Sequence, residues 1–500
     1  MIDIKIRFFS GNRFSICIFA TMQQIKKGRR LTLGIIQNAF GGKGIARIET
    51  EAGEYVIFVL NALAGQTVEA KIVKKKRRYA EAKLVRVIKR SPEETAIPYQ
   101  EIAGAPFARL PIAKQKEIKQ STALDLYKKI GNIENIESLF DEYIESPSVW
   151  HYRNKMEYAF SSIRWDFEEL KEIDDDFALG FKHRGTWWCV ENLDKDSGLF
   201  DAEFENKLHK IRLFLQQTNL PAWHPPKSEG FFRYLVVRKS YAQNKLLINL
   251  VTSSNGLEKF DRKKFTDFVL DLFGSRVAGL LHTINDSVGD NAQSRFGDEH
   301  VLYGENKLTE RLLDLDFEMN MQSFFQTNPQ CAELLYQKTI DYCLENNTLK
   351  PNEDVVMDLF CGTGTIGQII AKQTGVKVIG VDIVEEAIEN AKSNALKNGV
   401  ENIQFYAADV GKFLYQYPEY KDKIKTIVID PPRAGVAKKT IHKIIALNAA
   451  RIVYVSCNPA TQARDIALFR EAGYRLKKLS LVDQFPHTSH IEAVAVFDKE

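Results

Sequence analysis

Val355-Val356-Met357-Asp358-Leu359-Phe360-Cys361-Gly362-Thr363-Gly364-Thr365-Ile366-Gly367 carries an apolar run into an acid, then into glycines, then into a helical pattern through Ile369, Ile370 and Ala371. It reads as a buried strand, a tight turn and a helix, with the glycines letting the backbone turn sharply and approach a ligand. A second strand, Val378–Val381, ends in Asp382, where a carboxylate can accept both hydroxyls of a ribose. The helix Glu385–Leu396 follows, and further apolar runs span Ile403–Tyr406, Thr426–Ile429, Ile452–Val455, Leu476–Val482 and Ile491–Phe497. Seven strands at this spacing, separated by helical patterns, predict a doubly wound sheet with a hairpin-like finish, whose ligands sit at the strand ends. Gly362, Gly364 and Gly367 also satisfy G-x-G-x-x-G, so a nicotinamide site competes. The glycines do not separate that cofactor from others that carry an adenosine ribose.

Three later stretches bear on that choice. Arg451-Ile452-Val453-Tyr454-Val455-Ser456-Cys457-Asn458-Pro459 places a cysteine between a strand and a helix opened by proline. A helix N-terminus favours the thiolate, so Cys457 is expected to be an activated nucleophile rather than a small buried side chain. Thr426-Ile427-Val428-Ile429-Asp430-Pro431-Pro432-Arg433 ends a strand in a proline-stiffened loop that can hold a polar group against a planar base, a feature a dehydrogenase does not need. Phe485-Pro486-His487-Thr488-Ser489-His490-Ile491-Glu492 opens the final strand with Glu492, and a carboxylate there is expensive without a role or partner. His487 and His490 lack the further ligands a metal site needs, so no metal is expected.

Cys361-Gly362-Thr363-Gly364, Asp430-Pro431-Pro432-Arg433, Ser456-Cys457-Asn458-Pro459 and His490-Ile491-Glu492 occur in the order found in the RNA uracil-5-methyltransferases. Ser323-Phe324-Phe325-Gln326-Thr327-Asn328-Pro329 resembles the segment ahead of that family's methyltransferase core, and Tyr152-Arg153-Asn154-Lys155-Met156-Glu157 resembles its central signature. From about residue 25 the chain resembles the bacterial members that act on 23S rRNA. The resemblance implies S-adenosylmethionine as cofactor, Cys457 as nucleophile and Glu492 as base. It further implies Gln326, Phe360, Gly362, Gly364, Asp382 and Asp430 around the cofactor, with Asp409 near the adenine. Arg433, together with Asp430, would hold the pyrimidine.

The formal net charge is +4, yet residues 22–90 hold 16 Lys+Arg against 5 Asp+Glu. That asymmetry suggests a nucleic-acid-binding module on a more acidic body. Its densest run is Lys74-Lys75-Lys76-Arg77-Arg78, set among five short strand patterns, Leu31–Ile36, Gly44–Ile48, Tyr55–Leu60, Thr67–Val73 and Ala80–Ile88, punctuated by glycines. This reads as a small oligonucleotide-binding-like barrel resembling the TRAM domain. Its presence points to rRNA, since the family's tRNA enzymes typically lack it. Residues 93–310 combine a helix over Ile112–Ile130 with strand-like runs flanked by Arg153, Lys155, Arg233, Arg238 and Lys239. They are read as an α+β domain that covers the RNA, with Arg153 and Lys155 as contacts.

The fold class is therefore a C-terminal α/β Rossmann-like seven-stranded methyltransferase domain (311–500), an N-terminal OB-like TRAM barrel (22–92) and a central α+β domain (93–310). Residues 1–21 are read as an extension or a mis-called start. No stretch approaches a membrane span, and six scattered cysteines without a C-x-x-C pair suit a reducing cytoplasm. Many relatives hold an iron–sulfur cluster through four cysteines. Here Ala103 and Pro106 stand near two of the expected ligand positions, Ser197 stands near the fourth, and Cys189 is alone in its region. No cluster is expected, and Ile102, Pro106, Phe107 and Leu110 would order the segment by packing. The expected partner is RNA, 23S rRNA foremost, with no DNA and no membrane, bound by a monomer. A tRNA (uracil-5-)methyltransferase and a non-catalytic RNA-binding protein are the alternatives.

Overall fold

The computed structural model describes residues 25–50, 53–169, 171–292, 297–345, 349–351, 353–420 and 423–500, so the reading of residues 1–21 lies outside the described residues. Two compact units form, one from residues 25–123, 182–187 and 486–490, the other from 124–181, 188–485 and 491–500.

In the first unit the strands Arg30–Gly34, Gln37–Ala39, Lys43–Thr50, Gly53–Leu60, Thr67–Lys75 and Tyr79–Lys89 pair in the order first, fifth, sixth, fourth, third, second. The two strands that end this order are separated only by Ile35 and Ile36, so the sheet curls back on itself. Ile36 N–H donates to Ile45 O at 2.9 Å across that turn. Alternate residues Val68, Ala70 and Ile72 of one strand, with Ile57 and Val59 of another, point to a common core. The strand absent from the five predicted is Gln37–Ala39, too short to show an alternating pattern. Lys74, Lys75, Lys76, Arg77 and Arg78 are exposed at the tip of the Thr67–Lys89 hairpin. The tip is pinned from inside: Tyr55 Oη donates to Lys76 O and Tyr79 O, both at 2.6 Å, and Lys76 N–H donates to Tyr79 O at 2.8 Å.

Ile102, Phe107 and Leu110 are buried in the same unit, while Pro106 is half-buried. Arg109 Nε donates to Glu101 Oε1 at 2.8 Å, and Arg90 adds a second cation at 3.3 Å. His487 N–H donates to Gln115 Oε1 at 2.8 Å, so the histidine is held by hydrogen bonds. Among the described residues no group of three or more His, Cys, Asp and Glu could hold a metal ion.

The second unit holds two large sheets. Nine strands pair in the order Lys171–Ile173, Arg164–Asp166, Val190–Asn192, Ala178–Lys182, Lys155–Ser161, Phe232–Ser240, Lys245–Thr252, Val277–Ile284, Asp298–Gly304. Arg233 and Arg238, which the sequence reading set beside the RNA-facing cations, are instead buried here. Arg233 Nη2 donates to Gly289 O at 2.6 Å and lies over the Trp223 ring, and Arg238 donates to the carbonyls of Met321 and Ser323. Each guanidinium donates to loop carbonyls. Lys155 leaves only 13% of its side chain exposed and pairs with Glu157 at 2.7 Å, which gives it little surface for a phosphate. Arg153 is half-buried.

The other sheet has eight strands, in the order Ile403–Ala407, Lys377–Asp382, Val355–Leu359, Ile424–Ile429, Arg451–Ser456, Glu492–Lys499, Tyr474–Val482, Phe140–Ile144. The first five are mutually parallel, and Glu492–Lys499 runs antiparallel between its neighbours. The seven predicted strands are all present. The eighth, Phe140–Ile144, comes from the segment read as central domain and adds in parallel to Tyr474–Val482. The interleaved helices follow their burial: Thr365–Thr374 buries Thr365 to Ala371, whereas Lys438–Ala446 buries only Ile441 and Ile444, one apolar stripe. Val356, Val378, Val428, Val453 and Val494 of this sheet share one core with Leu335 of the helix Pro329–Leu344 and Phe317 of the hairpin Lys307–Asn320.

Candidate active site

Parallel pairing aligns the C-terminal ends of five strands along one rim. Asp382 ends the second strand of the order, Phe360 follows the third, Asp430 the fourth and Cys457 the fifth. Ser456 pairs with Ala493 across the antiparallel ladder, so the next register step sets Cys457 against Glu492. Asp430, Cys457 and Glu492, 27 to 62 positions apart in sequence, thus come together because their strands are consecutive in the sheet.

The turn after Val355–Leu359 is built tightly. Phe360, with φ 63°, sits in the left-handed region that a bulky side chain rarely adopts, and its N–H donates to Val381 O at 2.9 Å. Gly362 and Gly364 also have positive φ, 54° and 73°. A Cβ on Gly364 would lie 2.5 Å from the Phe405 ring, while one on Gly362 would meet nothing within 4 Å. One glycine therefore serves packing and the other leaves open space over the turn. Asp382 braces the turn, its carboxylate accepting from Gly362 N–H at 3.0 Å and Val384 N–H at 2.9 Å. Asp358 lies beneath, fully buried, with Oδ2 accepting from Gly367 N–H at 2.9 Å and Oδ1 without a partner among the described residues. Burial, with the charges of Asp430 and Asp382 added, pushes its carboxyl up to about 8. Asp409 stands past the edge strand Ile403–Ala407 and pairs with Lys443 at 2.9 Å. Open space above Gly362, a strained turn and a strand-end carboxylate fit an adenosine-bearing cofactor.

Gln326 approaches the rim from the segment before helix Pro329–Leu344, which Asn328 caps by accepting from Cys331 N–H at 3.2 Å. Asn154 Nδ2 donates to Gln326 O at 3.1 Å, and Asn154 N–H donates to Thr327 O at 2.7 Å. With Arg238 on the Met321 and Ser323 carbonyls, the Gln326 backbone is held from both sides.

The electrostatics correct one expectation. Cys457 does precede a helix, Pro459–Glu471, but its thiol is pushed up to about 11, by burial first and then by the negative charges of Glu492 and Asp430. Arg433 opposes this and does not reverse it. The helix N-terminus has less influence than desolvation and two carboxylates, so the resting thiol is protonated rather than an activated thiolate. Burial raises Glu492 to about 8 with Asp430 adding to it, and burial raises Asp430 to about 7. The Asp430–Arg433 loop is tied to the segment of Cys457, because Asn458 Nδ2 donates to Arg433 O at 3.2 Å.

Sequence reasoning missed two further buried polar residues, one beside this cluster and one behind Gln326. Tyr336, buried on the helix Pro329–Leu344, is raised by burial and then by the charges of Asp430, Glu492 and Asp358. Gln484 follows the strand Tyr474–Val482 and is fully buried. The only signal for either was a polar group within an apolar pattern.

The fold and the rim define an S-adenosylmethionine-dependent methyltransferase. A family model described as tRNA (uracil-5-)-methyltransferase matches residues 294–500, and a TRAM domain model matches residues 25–85. A protein of Caldanaerobacter subterraneus subsp. tengcongensis, named as an uncharacterized RNA methyltransferase, is 38% identical over 483 residues, 95% of this chain and 99% of that protein. One of the same description from Clostridium acetobutylicum is 36% identical over 451 residues, 89% of this chain and 93% of its own. The crystal structure of Pyrococcus abyssi tRNA (uracil-54, C5)-methyltransferase, in complex with S-adenosyl-L-homocysteine, covers 93% of this chain and 99% of its own, with a TM-score of 0.67 at 24% identity, and shows the same fold. This chain belongs to the family of S-adenosylmethionine-dependent RNA uracil-5-methyltransferases. No helix among its described residues is long and apolar enough to cross a membrane.

Proposed function

We propose that this protein methylates carbon 5 of a uridine in folded RNA, 23S rRNA in first place, through covalent attachment of Cys457 to carbon 6. The reading rests on one observation above all: Cys457, Glu492 and Asp430 lie on adjacent strand ends, close enough that the two carboxylate charges raise the Cys457 thiol. Bound S-adenosylmethionine supplies an electrophilic methyl group, which carbon 5 of the activated ring accepts. Gln326, Phe360, Gly362, Gly364, Asp382 and Asp409 form its site, with Asp430 at the boundary to the base.

Carbon 5 of uracil is too weak a nucleophile alone, and covalent activation is the remedy. The Cys457 thiol gives its proton to solvent water, Sγ bonds to carbon 6, and the electron pair of the carbon 5–carbon 6 double bond passes towards carbon 5 and the carbonyl oxygen on carbon 4. Arg433, the cation of the cluster, opposes the accumulating negative charge. Once carbon 5 bears both methyl and hydrogen, the Glu492 carboxylate removes that proton, the double bond re-forms and Sγ leaves. A base raised to about 8 suits this step, because it holds a proton near neutral pH yet is partly ionised there. The uridine must leave its stack to reach the rim. The exposed cations Lys74 to Arg78 of the barrel would contact phosphates and position the RNA without reading its sequence.

The Pyrococcus protein acts on tRNA and aligns over 93% of this chain, so a barrel ahead of the methyltransferase sheet does not favour rRNA in the way the sequence reading assumed. Support for 23S rRNA is the motif order along the whole chain; support for tRNA is that likeness. Mapping 5-methyluridine in both RNAs from a deletion strain decides between them: loss from 23S rRNA is expected, and loss from tRNA alone overturns the rRNA reading. Cys457→Ala should abolish methylation and retain S-adenosylmethionine binding. Target RNA carrying 5-fluorouracil should form an adduct stable to denaturation with the wild type alone. Methylation by the alanine variant would overturn the covalent mechanism.

A further inference from the structure

We propose that Gln484 is a positioning residue that fixes the amide orientation of Gln326; this rests on the assignment of Gln326 to the cofactor site. Gln484 follows the strand whose last residue, Val482, pairs with Glu492, and its N–H turns back to donate to Val482 O at 3.0 Å. Its side chain is fully buried. Nε2 donates to Asn328 O at 3.2 Å and reaches Gln326 Oε1 at 3.5 Å. Asn328 Nδ2 returns a bond to Gln484 O at 3.1 Å, which locks the two segments together.

The polarity runs one way. Asn328 O is a backbone carbonyl and can only accept, so Gln484 must present its NH₂ end. That end also faces Gln326, which must answer with its carbonyl oxygen. The NH₂ of Gln326 is then directed away from Gln484 and left to donate to an acceptor such as a carboxylate or a ribose hydroxyl. The arrangement leaves Gln484 Oε1 buried without a partner among the described residues, a defect of the kind that a local function explains. Asn154 holds the Gln326 carbonyl and Arg238 the Met321 and Ser323 carbonyls ahead of it, and the Gln484 Nε2 contact is the one that reaches the Gln326 side chain.

The test uses the full-length protein and S-adenosyl-L-homocysteine as probe. Gln484→Met keeps length and removes the donor; Gln484→Glu keeps shape and replaces donor with acceptor. Both should weaken binding of the probe about tenfold, the scale of one buried hydrogen bond. The single-turnover methylation rate at saturating S-adenosylmethionine should stay within about twofold of wild type. In a Gln326→Ala background the same substitutions should weaken binding no further. Losses that add to those of Gln326→Ala, or a fall in the saturated rate that tracks a lowered Tm, would overturn the proposal alone. A Gln326→Ala variant that binds the probe normally would overturn the cofactor assignment, and this proposal with it.

Discussion

The resting state of Cys457 can be read by alkylation. A thiol at about 11 is ionised to roughly 3 parts in 10,000 at pH 7.5, whereas an ordinary cysteine near 8.5 is ionised to about a tenth, a ratio of about 300. A more basic thiolate is also a better nucleophile, by about tenfold over that difference, so free Cys457 should react with iodoacetamide roughly 30-fold more slowly than an unhindered thiol. The assay follows the Cys457 peptide by mass spectrometry from pH 6 to 11, which separates it from the buried Cys189, Cys331 and Cys343. Wild type should rise without a plateau below about pH 10. Glu492→Gln removes one of the two negative charges that raise the thiol, so its curve should move to lower pH while remaining above an ordinary cysteine, because burial is the larger cause. A plateau at or below pH 8.5 in wild type would show that the helix N-terminus prevails after all, and would refute the electrostatic account.

Glu492→Gln should also stall turnover after methyl transfer, so that methylated RNA accumulates on Cys457 as a slow-migrating species in denaturing gels; normal turnover without adduct would make Glu492 structural. Burial raises its carboxyl to about 8 from the ordinary 4.5, so the favourable neutral form is fully present below about 4.5 and is lost as pH rises through 8. The Tm of Glu492→Gln should therefore match wild type near pH 5 and exceed it at pH 9, and an equal offset at both would contradict the burial argument. Alanines at Lys75, Lys76, Arg77 and Arg78 should weaken RNA binding and flatten its logarithmic salt dependence by about 3 units for three to four lost phosphate contacts, with S-adenosylmethionine binding unchanged. Anaerobically purified protein should be colourless, and stoichiometric iron with sulfide would show that the ligands were misplaced.

The elements legible in the sequence were those whose signal is local. Each of the seven predicted strands formed within one or two residues of its predicted ends; the central ones, buried on both faces, demand unbroken apolar sequence, while Ile403–Ala407 and Tyr474–Val482 alternate. Phe140–Ile144 gave no such signal. It is an edge strand carrying Asp141 and Glu142, stabilised by Lys338 and by Tyr342 Oη, which donates to Asp141 Oδ2 at 2.9 Å from 201 residues away. The site divides along the same line. Cys457, Asp430, Asp382 and Glu492 could be found because strand ends are where an open parallel sheet collects its chemistry. The charge state of Cys457 could not, because a pKa sums over space: the helix start beside it is visible in sequence, while Glu492 lies 35 residues later and Asp430 27 earlier. Arg238 and Gln484 were hidden for a related reason. The carbonyls that accept from them lie on distant segments, Met321 and Ser323 for one and Asn328 for the other. Residues proposed to touch the reaction are thus displayed by the topology, while those proposed to orient them are fixed by partners the local sequence does not contain.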